Sequence, residues 1–281
     1  MLALRLIDQG RSDEAIDTLK KTIELSHDFF LAHMELGGRY EAKGQLADAR
    51  SEFQTVIKLR PNFADAHRQL GTVFAQLDQA DSAISEFGEA IRLSPQEAQP
   101  HRQLGKVYFD QNQYGKAAAE YEKAVQLEPN DAQTHVSLGL AYSKQDTLER
   151  GVEECREAIR LDPNNPWFHR SLGLLFWAHD KPEEAAEEFA KGLTKAPEDP
   201  VMHEYRGSAI VMAGKFSEAI IELRKGIQLD PNSAEVHAWL GIALENTGKS
   251  REATSEIQRA YEMDPNNEFI KNTYEQGKRR N

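Results

Sequence analysis

The sequence predicts an all-α array of stacked helix pairs, and three periodic features carry the prediction. Proline recurs at Pro61, Pro95, Pro129, Pro163, Pro197, Pro231 and Pro265, each 34 residues after the last. Glycine keeps the same period at Gly37, Gly71, Gly105, Gly139, Gly173, Gly207 and Gly241. Large side chains return between them at fixed places, as do small ones. A period of this length means repeats that bury their apolar faces on one another, not a single globular core. Seven repeats fill 30–267, with 29 residues before them and 14 after.

Residues 1–29 fit a further repeat entered at position 6, counting each repeat from the equivalent of Phe30. Gly10 takes its turn, Ala15 takes position 20 and Leu19 takes position 24. Its first helix is cut in half, which leaves Leu2, Leu4, Leu6 and Ile7 near an uncapped end. The seven full repeats are 30–63, 64–97, 98–131, 132–165, 166–199, 200–233 and 234–267. Each reads as helix A over about positions 2–14, a tight turn, helix B over about 17–30, and a proline turn.

Position 7 is leucine except for Arg206, and position 20 is alanine except for Gly151. Position 11 is large throughout, and position 24 is large except for Cys155. The A–B turn carries Gly44, Asp78, Asn112, Asp146, Asp180, Gly214 and Gly248 at position 15. A mid-helix glycine costs about 1 kcal/mol relative to alanine. Its return at position 8 of every repeat therefore calls for a close approach of the backbones of helices A and B. Residues 268–281 form a capping helix, with Phe269, Ile270, Thr273 and Tyr274 toward the last repeat. The expected total is about seventeen helices: fifteen of similar length, an N-terminal stub and the cap.

In the third repeat the pattern reads Leu104, Gly105, Tyr108, Ala117, Tyr121, Ala124 and Pro129. It resembles the tetratricopeptide repeat (TPR) family, and the likeness runs over 30–267 without a gap. The resemblance implies a right-handed superhelix of antiparallel helix pairs, an α-solenoid whose A helices line a concave groove. It also implies a non-catalytic scaffold for protein–protein interaction. Two known ligand devices of the family are missing. The lysine and asparagines that clamp a terminal carboxylate in chaperone-tail binders are not present as a set. Position 9 reads Gly38, Thr72, Lys106, Leu140, Leu174, Ser208 and Ile242, and position 6 has no asparagine ladder.

The remaining features exclude more than they assign. With 46 acidic against 34 basic residues the net charge is −12, which argues against a nucleic-acid partner. No apolar run is long enough to span a membrane. A single cysteine supports neither a disulfide framework nor a cysteine metal site, and is compatible with a cytoplasmic protein. Cys155 stands where other repeats put an aromatic, so it should be buried and inert. Seven histidines, His33 through His237, sit at position 4 and read as packing residues in the place of the family's usual tryptophan. No nucleophile, phosphate loop or metal motif appears, so neither an enzyme activity nor a cofactor is expected. Glutamates such as Glu183, Glu184, Glu187 and Glu188 are expected on the solvated face of helix B.

The face of helix A opposite this packing comprises positions 2, 5, 6, 9, 12 and 13. It carries Arg68, Arg102, Lys106 and Phe109 early in the chain. Later it carries Val136, Leu140, Trp167, Arg170, Leu174, Trp177, Val201, Tyr205, Trp239 and Ile242. Aromatics with arginines beside them are the composition of an interface; the alternative is that some pack against the next helix A. The leading expectation is a groove for an acidic, hydrophobic peptide or helical segment of a partner. Two others are kept: the substrate-recruiting or regulatory part of a larger enzyme or envelope-assembly protein, and a module that self-associates through its open N-terminal end.

Overall fold

The computed structural model describes residues 11–280, and all its regular structure there is helical. The half-helix expected before Gly10 and the self-association assigned to it lie outside the described residues. Sixteen helices follow among the described residues. They are α1 (Ser12–Leu25), α2 (Phe30–Ala42), α3 (Leu46–Leu59), α4 (Ala64–Gln76), α5 (Ala80–Leu93), α6 (Ala98–Asp110), α7 (Tyr114–Leu127) and α8 (Ala132–Ser143). Then come α9 (Leu148–Leu161), α10 (Pro166–Ala178), α11 (Pro182–Leu193), α12 (Pro200–Met212), α13 (Phe216–Leu229), α14 (Ala234–Asn246), α15 (Ser250–Met263) and α16 (Glu268–Arg280). Even-numbered helices from α2 to α14 are A helices, and each packs on the B helix that follows it. The chain divides into two compact units, Met1–Asn130 and Asp131–Asn281. Within each unit the A–B hairpins form an α-solenoid.

The tight turn is set by backbone conformation. Position 15 adopts a positive φ in all seven repeats, from 53° at Asp180 to 76° at Gly248. Only glycine, asparagine and aspartate enter that region at low cost, and only those three residue types occur there. The residue after it then donates its N–H back to the carbonyl of position 11. Gln45 bonds Tyr40 at 2.9 Å, Gln113 bonds Tyr108 at 2.8 Å, and Lys249 bonds Leu244 at 2.9 Å. This Schellman-type closure satisfies the last carbonyls of helix A and reverses the chain.

The position-8 glycine does something other than what its spacing suggested. In all seven repeats a Cβ placed there would strike the position-24 side chain of helix B, and in six of them that side chain is nearer than any helix B backbone. It would meet Phe53 at 2.7 Å from Gly37, Tyr121 at 2.8 Å from Gly105, and Leu223 at 2.6 Å from Gly207. A large side chain on helix B sits in a notch on helix A. Only the fourth repeat brings the backbones themselves this close, with the carbonyl of Gly151 at 2.8 Å from a Cβ on Gly139. There glycine also replaces the alanine of position 20. Position 24 of this closer pair is Cys155, smaller than its counterparts, whose thiol is buried and pushed up to about 12, chiefly by that burial.

The position-4 histidines pack as expected, but they also hold a partner that was not foreseen. Each turns Nδ1 to a glutamate at position 23 of the same repeat. The distance is 2.5 Å for His33–Glu52, 2.7 Å for His67–Glu86, 2.6 Å for His101–Glu120 and 2.6 Å for His135–Glu154. The series continues with 2.8 Å for His169–Glu188, 2.9 Å for His203–Glu222 and 2.5 Å for His237–Glu256. Nε2 reaches the carbonyl of Pro61 from His67 and that of Pro197 from His203, both at 3.0 Å. One ring thus ties helix A to helix B and to the preceding proline turn. Glu188 corrects the solvated reading of its run: it is 8% exposed and bonded to both His169 and Lys191.

Two substitutions test the notch. Gly139→Ala should destabilise by about 1–3 kcal/mol, because the added methyl meets backbone that cannot swing away. Gly38→Ala, where nothing lies within 4 Å of the new Cβ, should stabilise by about 0.5–1 kcal/mol. Urea midpoints moving the same way for both would refute the reading. For the histidine tie, Glu120→Leu should cost about 1–3 kcal/mol by leaving a buried ring nitrogen unpaired. Lys123→Leu on the exposed side of the same helix should stay within about 0.5 kcal/mol of wild type.

Candidate interaction face

Stacking consumes positions 4, 7, 8 and 11 of each helix A, so the opposite stripe is where a ligand could be met. In the first unit its three cations are already paired. Arg68 donates Nε to Asp65 at 3.0 Å, one turn back on α4. Arg102 on α6 reaches Glu128, beyond α7, at 2.5 Å. Lys106 bonds Asp110 at 2.6 Å. Phe109 sits edge-on to Tyr114, with centroids 5.3 Å apart. Gln103 bridges to Thr72 at 2.8 Å, linking two neighbouring A helices across the stripe. The basic cluster is therefore a set of ion pairs, from the largely buried Arg68 to the exposed Lys106, each with a partner carboxylate open to water. Such pairs contribute about 0–1 kcal/mol each and exchange partners readily.

The second unit holds the aromatics, and they are interlocked. Trp177 on α10 meets Tyr205 on α12 at 5.8 Å and Trp239 on α14 at 6.3 Å, both edge to face. Trp239 continues to Phe269 on α16 at 4.6 Å. Tyr205 stacks at 5.6 Å on Phe189, the notch residue of α11. The chain of rings crosses the A helices of three repeats and α16, anchored beneath by the core and partly exposed above. Leu140, Leu174 and Ile242 are partly buried along the same stripe.

Two stripe residues depart from this arrangement in opposite directions. Val136, expected on the face, is 3% exposed and packs with Ala158 and Phe168, so it belongs to the core. Its β-branched side chain is short enough to be enclosed by α9 and α10. Trp167 is 48% exposed at the start of α10, and the Arg170 guanidinium lies over its ring at 4.3 Å. At the same position of the next repeat Val201 is 41% exposed. Packing against the next helix A thus accounts for much of Trp177, Tyr205 and Trp239, and for none of the outer face of Trp167.

Carboxylates were not foreseen on this face. Glu204 occupies position 5 of α12, where other repeats have Arg68, Arg102 and Arg170. Burial pushes its carboxyl up to about 7; the Ser233 hydroxyl, donating at 2.9 Å, opposes this, while Glu235 and Asp230 push it further. A sequence signal existed, since Glu204 and Glu235 both fall on the stripe, but their meeting depends on the spacing of α12 and α14. Among the described residues no three His, Cys, Asp or Glu side chains are placed to hold a metal ion, and no helix is long and apolar enough to cross a membrane.

Comparison with known proteins follows this geometry. The "TPR repeat" family profile matches residues 105–146 and 207–248. Two "Tetratricopeptide repeat" profiles match 1–50 and 39–98, and 132–165 and 234–267. Among solved structures, a tetratricopeptide repeat protein from Parabacteroides merdae superposes with a TM-score of 0.68 at 16% identity, over 88% of this chain and 98% of that one. YrrB, described as a TPR protein with an unusual peptide-binding site, gives 0.55 at 19% identity, over 64% of this chain and 92% of its own. MamA from Desulfovibrio magneticus, residues 41 to the end, gives 0.56 at 26% identity, over 60% and 95%. No curated protein matches the sequence.

The Glu204 environment predicts a pH dependence. Between about pH 4.5 and pH 7 the folded chain keeps a proton that the unfolded chain has released. This contribution to stability is complete below that window and is lost as pH rises through about 7. All three tryptophans lie in the second unit, so their fluorescence reports its unfolding alone. In urea, Glu204→Gln should be more stable than wild type at about pH 8 and should converge with it at about pH 5. An equal offset at both values would contradict the assignment.

Proposed function

The chain belongs to the tetratricopeptide repeat family, and we propose that it is a non-catalytic scaffold that holds a peptide or helical segment of a partner protein against its A-helix face. The observation that carries this is the aromatic chain from Tyr205 through Trp177 and Trp239 to Phe269, with Trp167 beside it. Rigid rings, fixed below and partly exposed above, offer contact area at little cost in side-chain entropy, and such residues dominate binding energy at interfaces. The peptide-binding site ascribed to YrrB supports the same use of the fold. A segment bound on the second unit is apolar. One bound on the first unit is acidic, and its carboxylates displace Asp65, Glu128 and Asp110 from Arg68, Arg102 and Lys106. Arg170 offers a further cation on the aromatic face.

The test separates affinity from steering. Trp167→Ala should speed dissociation of the partner, at a cost on the order of 2 kcal/mol, while leaving stability nearly unchanged because the ring is already half in water. Trp177→Ala should weaken binding too, but with a loss of stability from the rings it supports. Arg102→Glu should slow association and blunt its salt dependence. If all three bind like wild type while substitutions on the outer side of the B helices abolish binding, the A-helix face is not the working surface.

A further inference from the structure

Where α14, α15 and α16 meet, the second unit leaves a half-open cavity of about 400 Å³. Ile242 and Glu245 of α14, Ile257 and Gln258 of α15, and Tyr274 and Gly277 of α16 line it. The repeat explains why it is empty. Gly277 stands at position 10 of α16, counted as the start of a further repeat. At that position the second to seventh repeats bury Val73, Val107, Ala141, Leu175, Ala209 and Ala243 against the preceding hairpin. A Cβ on Gly277 would find only Ile257, at 3.9 Å. α16 presents the register of a helix A without the side chain that stands there in the other repeats.

We propose that this cavity is an anchor pocket that receives one aliphatic side chain of the partner segment lying on the A-helix face. The proposal rests on the reading of that face given above and adds to it a place and a chemistry. Three observations select the occupant. Ile242 and Glu245, at positions 9 and 12 of α14, are part of the cavity's lining, so the cavity continues the stripe that carries Trp239 one turn earlier. The chain's own solution to the same space is aliphatic, up to leucine at Leu175. The walls are held in advance: Tyr274 stacks on Tyr261 at 4.2 Å, and the Lys278 ammonium caps Tyr274 at 4.4 Å. An apolar cavity of about 150 Å³ already accepts benzene, and ligand pockets begin near 300 Å³. The lining is polar as well as apolar, and Glu245, Asn246 and Gln258 provide acceptors and donors for the peptide groups on either side of the inserted residue.

The experiment uses the full chain and simple probes. Amide spectra are recorded during titration with N-acetyl-leucinamide, N-acetyl-alaninamide and benzene. The leucine derivative and benzene should give saturable shifts at Ile242, Thr273 and Gly277, and the alanine derivative should give none. Gly277→Leu fills the space from within. It should abolish those shifts and raise the melting temperature, with Gly277→Ala intermediate in both. Trp167→Ala should leave these titrations unchanged, so the pocket and the aromatic face succeed or fail separately. Absence of saturation, shifts that persist in Gly277→Leu, or a lower melting temperature in that variant would each overturn the proposal. Saturation by benzene but not by the leucine derivative would make this a site for free apolar molecules, against the proposal. A concentration-dependent rise in mass that Gly277→Leu removes would instead assign the pocket to a second copy of the chain.

Discussion

In all seven full repeats the position-24 side chain of helix B lies where a Cβ on the position-8 glycine of helix A would stand. In five of them side-chain carbon comes within 2.6–2.8 Å of that point. This contact sets how near the two helices of a hairpin lie, and the buried clusters on either side of it depend on that spacing. Phe53 is shared between its own notch and the cluster of Leu36 and Leu70. Phe189 fills the notch at Gly173 and also supports Tyr205 on the next helix A. A repeat of this size has no core of its own, so one such contact per hairpin, passed on through neighbours, is what makes the stack cooperative. The fourth repeat shows the same constraint from the other side. With glycine at both 139 and 151, the helices close until backbone meets backbone, and the small Cys155 stands at position 24.

The histidine–glutamate tie complements the notch. A notch fixes the distance between helices but leaves them free to slide. A ring held at Nδ1 by helix B, and in several repeats at Nε2 by the preceding turn, fixes their register. Glycine, histidine and glutamate carry this packing at positions 8, 4 and 23. The A-helix stripe carries none of it in most repeats, and its residues differ from one repeat to the next. Its composition follows instead what each stretch of surface meets. In the first unit that is polar side chains bridging neighbouring helices; in the second it is aromatic rings in mutual contact.

That contrast bears on recognition. Surface ion pairs that are already satisfied contribute specificity and encounter rate more than affinity, because every new contact replaces an old one. A chain of rings held from below gains buried area with little further ordering. The carboxyl of Glu204 adds a third character to the same face, since its burial keeps it part-protonated near neutrality and so less hostile to an apolar segment than a glutamate in water.

The period of 34, the glycine at position 8 and the residue types at position 15 specify the helix pairs, their turns and the family without any coordinates. Those features are local, and a left-handed turn residue or a missing Cβ means the same thing in every repeat. Position 23 was equally legible as seven glutamates. Its meaning was not, because a spacing of 19 residues pairs side chains only after the hairpin has closed. The stripe was legible as a surface, since helical geometry alone assigns faces. Which members are exposed was decided by neighbours: Val136 is enclosed by α9 and α10, Trp239 is covered by Phe269, and Trp167 stays open at a helix end. The cavity beside Gly277 is likewise a property of three helices together, for a glycine near the end of a polar helix reveals nothing until the space it fails to fill is seen.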